Sequence, residues 1–89
     1  MKKLEDLQAN LTNLDFLIRQ KSTGDLEELA QKLGVSQRSV SSYLEIMRDY
    51  EADIKWDRYR RTYYYATEGK FIFKIGFEKK EFSGGGGEL

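Results

Sequence analysis

LEELAQKLGVSQRSVSSYLEIMRDY, residues 26–50, is the stretch that decides the fold of this chain. Asp25 stands before it as an N-cap and Glu28 follows three residues later, an acidic form of the capping box. Leu26, Leu29, Ala30 and Leu33 recur at helical spacing and share one face, while Glu27, Gln31 and Lys32 turn outward. Gly34 ends this helix, because a left-handed C-cap suits glycine best. Two residues on, Ser36 caps the next helix, predicted to run to about Asp49 with Val40, Tyr43, Leu44 and Met47 buried. Two short helices joined across Gly34-Val35-Ser36 make a helix-turn-helix pattern.

Upstream, residues 1–21 carry Leu4, Leu7, Leu11, Leu14, Leu17 and Ile18 on one stripe. The run covers under three heptads, so a core-facing first helix is expected rather than a coiled coil. Ser22-Thr23-Gly24 breaks it. Downstream of Tyr50 the period changes to that of strands. Ile54-Lys55-Trp56-Asp57 and Thr62-Tyr63-Tyr64-Tyr65 are rich in β-branched and aromatic residues, and Arg58 to Arg61 link them as a hairpin turn. Trp56 and one or two of the tyrosines are expected to face inward. Glu68-Gly69 is read as a turn, and Phe71, Phe73, Ile75 and Phe77 alternate as an additional C-terminal strand over 71–77. Residues 83–89, with four consecutive glycines, are expected to form a flexible tail, leaving 1–82 as a single α+β domain.

Composition narrows the function. The chain has 89 residues, one domain's worth, and 15 basic residues balance 15 acidic ones, which argues against a uniformly basic nucleic-acid coat. It contains no Cys and no His. Disulfides, thiolate nucleophiles, a Ser-His-acid triad and the usual transition-metal ligand sets are thereby excluded, and neither an enzyme nor a cofactor or metal site is expected. Apolar runs reach three residues, far short of a membrane span, and no apolar region follows Met1-Lys2-Lys3. A soluble, cytoplasmic domain is the expectation, with no membrane partner and no small-molecule ligand.

Three helices followed by a hairpin is the order of a winged helix domain. Residues 26–50 followed by IKWDRYRRTYYY, residues 54–65, resemble the DNA-binding domain of winged helix-turn-helix bacterial transcription regulators, of the DeoR-like and biotin-operon-repressor types. The resemblance spans residues 8–66. The chain departs from the family at Ser41 and Ser42, where an aromatic and a basic residue are frequent, at Glu51-Ala52-Asp53, and at Thr62, often a wing glycine.

The resemblance implies that the third helix is the recognition helix. Arg38 is suited to a bidentate contact with guanine and Gln37 to adenine, while Ser36, Ser39, Ser41 and Ser42 permit close approach of the backbone. In the wing, Lys55, Arg58, Arg60 and Arg61 stand against Asp57, four bases to one acid, which suits phosphate or minor-groove contact, and Tyr59 can bond a phosphate. The expected function is sequence-specific binding of double-stranded DNA as a small transcriptional regulator. The alternative is a winged helix adaptor for protein–protein interaction or dimerisation. A homodimer through the C-terminal strand stands beside an extended sheet within each monomer.

Overall fold

The helical spacings of the first half become three helices: α1 (Lys3–Gln20), α2 (Leu26–Leu33) and α3 (Gln37–Asp49). The strand-rich second half becomes β1 (Ile54–Asp57) and β2 (Thr62–Tyr65). The molecule is described here by a computed structural model covering residues 3–74, 76 and 77. It is a small α+β arrangement in which the two strands pair antiparallel, Ile54 opposite Tyr65 and Asp57 opposite Thr62.

Apolar stripes from all three helices meet in one core. Leu11, Leu14 and Ile18 of α1, Leu29 and Ala30 of α2, and Val40, Leu44 and Met47 of α3 are buried, with Ile54 of β1 closing the cluster. Leu7, Leu17, Leu26, Leu33 and Tyr43 pack half-buried around it. Leu4 lies exposed at the outer end of its stripe.

The caps form as the sequence implies. Asp25 Oδ1 accepts the Glu28 N–H at 2.9 Å, and Glu28 Oε1 accepts the Asp25 N–H at 2.8 Å. Gly24, at φ 71°, makes room for this exchange, since a Cβ there would stand 2.5 Å from Glu28 Oε1. Gly34 closes α2 at φ 70°, and Ser36 Oγ caps α3 through the Ser39 N–H at 3.0 Å.

Two polar clusters anchor the hairpin and the segment after it. Thr23 and Thr62 are buried, and each hydroxyl accepts a backbone N–H on the other's side: Thr23 N–H to Thr62 Oγ1 at 3.1 Å, Tyr63 N–H to Thr23 Oγ1 at 2.8 Å. Asp15, 2% exposed within the apolar stripe of α1, accepts from Tyr65 Oη at 2.6 Å, the Phe71 N–H at 2.8 Å and Arg19 Nε at 2.9 Å. Both oxygens of this buried carboxylate are thus met by donors.

Three expectations are corrected. Residues 71–74, 76 and 77 form no strand, and β1–β2 is the only ladder among the described residues. The alternation of sides survives, with Phe71 and Phe73 half-buried on the core and Ile72 and Lys74 exposed. Periodicity specifies which side a residue faces, but a strand also needs an edge to pair with, and Thr23 meets β2 at Tyr63. The bend before this segment falls at Ala66 and Thr67 rather than at Glu68-Gly69. Trp56 is not inward: it is 40% exposed. It shares a strand face with the buried Ile54 but stands two residues nearer the turn, and its ring packs on Tyr63 across the hairpin, centroids 4.9 Å apart. Tyr63 and Tyr65 do pack against the core, half-buried. Residue 75 and the tail at 83–89 lie outside the described residues.

Candidate functional site

The outer face of α3 is open. Gln37, Arg38, Ser41, Ser42, Glu45 and Asp49 are exposed, because the buried stripe of Val40, Leu44 and Met47 occupies the opposite side. Arg38 forms no ion pair or hydrogen bond through its side chain among the described residues, nor do Gln37, Ser41 and Ser42. Ser36 and Ser39 differ: both hydroxyls are engaged with each other at 3.1 Å in the cap, so they shape the start of α3.

The hairpin turn is built by Asp57, which the sequence marks only as a charge among the wing arginines. Asp57 Oδ1 accepts the N–H groups of Tyr59 and Arg60 at 3.0 and 3.1 Å, an Asx-type closure of residues 58–61. Arg61 completes the reversal at φ 55°. An Asp at the start of a polar four-residue link was the available signal for this role.

The basic residues of the hairpin do not all reach solvent alike. Arg61 Nη2 turns back to Asp25 Oδ2 at 3.0 Å and Glu28 Oε1 at 3.9 Å, at the start of α2. Arg60 Nε lies 4.0 Å from Asp57 Oδ2, and Lys55 Nζ 3.6 Å from Asp53 Oδ1. Arg58 has no acidic partner among the described residues and rests over the Tyr59 ring at 5.6 Å, with Tyr59 88% exposed at the tip. Of the four cations counted along the hairpin, three therefore face carboxylates in space, Lys55 at Asp53, Arg60 at Asp57 and Arg61 at Asp25 and Glu28, and Arg58 faces none among the described residues. The carboxyl of Asp25 is held below its ordinary value chiefly by the Glu28 backbone N–H it accepts, then by Arg61.

Among the described residues no group of three or more His, Cys, Asp or Glu is placed to hold a metal ion, and no helix is long and apolar enough to cross a membrane. No protein-family model, curated protein or solved structure matches the chain. Asp15 and the Thr23–Thr62 pair were missed in sequence. The signal for Asp15 was a carboxylate on the apolar stripe with Arg19 four residues on; Thr23 carried none.

Proposed function

We propose that the chain is a winged helix-turn-helix domain that binds double-stranded DNA in a sequence-specific way as a small transcriptional regulator. The carrying observation is the open face of α3, whose only basic side chain at its N-terminal end, Arg38, is exposed and without a partner among the described residues. A helix of this length is about 20 Å long, and its first turns enter a major groove about 12 Å wide. Arg38 and Gln37 then address base edges. Ser41 and Ser42 let the helix lie close, and Arg58 with Tyr59 touches the sugar-phosphate backbone. Lys55, Arg60 and Arg61 reach DNA only by exchanging their carboxylate partners for phosphates.

Fluorescence of Trp56, the single tryptophan and exposed on the hairpin, reports this contact directly. Arg38→Ala is expected to cost about 1–3 kcal/mol on the preferred duplex and to erase its advantage over random duplex. Arg58→Ala is expected to weaken all duplexes alike and lower the salt slope by about one. Unchanged Trp56 emission and unchanged anisotropy of labelled random duplex at about 50 mM salt would reject the reading.

A second reading, a winged helix adaptor for protein partners, draws on the ion pairing of the hairpin, which leaves little free positive charge there. It predicts no retention on heparin at low salt.

A further inference from the structure

The segment after the hairpin has the sidedness of a strand and no strand beside it. Phe71 and Phe73 pack half-buried on the core, while Ile72, 71% exposed, and Lys74 face out. Among the described residues, the Phe71 N–H is the one backbone group of residues 68–74 that is hydrogen-bonded, and it donates to Asp15 Oδ1. In extended backbone, the N–H and C=O of one residue point to one edge and those of the next residue to the other. Drawn out as a strand with the Phe71 N–H toward α1, the segment presents the groups of Lys70, Ile72 and Lys74 at the opposite edge, where no backbone hydrogen bond is made among the described residues. A groove of about 450 Å³ is lined by residues 70–74 together with Tyr50, which is 73% exposed.

We infer that this edge is where two copies of the chain pair, as antiparallel strands related by a two-fold axis through Phe71. The register follows from charge. About that axis Glu68 of each copy stands opposite Lys74 of the other, twice, and Ile72 lies against the aliphatic stem of Lys70. Glu68, Lys70 and Lys74 hold no ion pair or hydrogen bond among the described residues, so nothing must be broken to form these pairs. Moving the axis to Ile72 sets Lys70 against Lys74 twice, and like charges directly opposite destabilise a strand pair. The parity agrees as well: an axis on Phe71 makes Lys70 and Ile72 the hydrogen-bonded pair, and theirs are the groups on the free edge. A strand this short buries less than the roughly 1,200 Å² of a stable interface, so the dimer is weak and concentration-dependent. The inference gives a register to the dimer expected from the sequence and does not depend on DNA binding.

Sedimentation equilibrium of the full chain from micromolar to millimolar concentration, without DNA, tests it. The wild-type chain is expected to dimerise reversibly. Glu68→Lys and Lys74→Glu are each expected to weaken self-association about tenfold, since each sets like charges opposite twice. An equimolar mixture of these two variants is expected to recover wild-type association as a heterodimer, because one pair keeps opposite signs in reversed order and no variant side chain need face its own kind. Circular dichroism confirms that each variant is folded. A wild-type chain that stays monomeric leaves the edge to a foreign strand or to solvent and overturns the inference. So do single variants that associate like wild type, or a mixture that associates no better than its components.

Discussion

Asp15 shows how one residue organises the second half of the molecule. It sits among Leu11, Leu14 and Ile18, where an aliphatic side chain would extend the core, and instead collects donors from β2, the segment beyond it and its own helix. Removing it leaves the Tyr65 hydroxyl and the Phe71 N–H without acceptors in a largely dry site. Asp15→Ala is expected to lower stability by about 2–4 kcal/mol, and Tyr65→Phe, which removes only one of three donors, by about 1 kcal/mol. Urea denaturation checks both the values and their order. Tyr65 is linked to pH in a definite sense. Burial, then its hydrogen bond to Asp15, raises its phenol well above the ordinary value of 10.0. The folded value exceeds the unfolded one, so this contribution is complete below about pH 10 and declines as pH rises further. Alkaline titration followed by phenolate absorbance is expected to show Tyr65 ionising only as the fold is lost.

At the scale of the element, all three helices end in the same closure. The N–H of Ser22 bonds to the Leu17 carbonyl, that of Val35 to Ala30, and that of Ala52 to Met47, each five residues back. The residue before each donor is left-handed: Lys21 at φ 55°, Gly34 at φ 70° and Glu51 at φ 76°. This is the Schellman geometry, and only α2 uses glycine for it. The end of α2 was therefore legible from residue type, whereas at Lys21 and Glu51 the closing hydrogen bonds and the docking of the next segment impose a conformation the side chain resists. Lys21→Gly and Glu51→Gly are each expected to stabilise the chain by about 0.5–1 kcal/mol, seen as a raised thermal midpoint. The segment at 71–74 is the converse case: its alternation was legible, but strand pairing was not, since pairing belongs to two edges and the sequence displays one.

At the scale of the whole molecule, charge was the property that folding redistributed. Along the chain the hairpin is basic; in space Asp25 and Glu28, from the start of α2, and Asp53 stand against its cations. If Lys55 reaches DNA, removing its competitor strengthens binding: Asp53→Asn is expected to tighten random-duplex binding and steepen the salt slope by up to about one, measured by anisotropy against salt. The sequence by itself determined the three helices, the capping box at Asp25 and Glu28, the caps at Gly34 and Ser36, the hairpin and the buried side of the third helix at Val40, Leu44 and Met47. All of these rest on spacing and on bonds between residues a few positions apart. Only the tertiary structure decided that Asp15 and the Thr23–Thr62 pair join distant segments, that Trp56 faces solvent, and that the hairpin arginines are unequal, with Arg61 bound to α2 and Arg58 free of any acid among the described residues. Those outcomes depend on partners 36 to 56 residues away in the chain, or on where the core ends, and local periodicity carries neither.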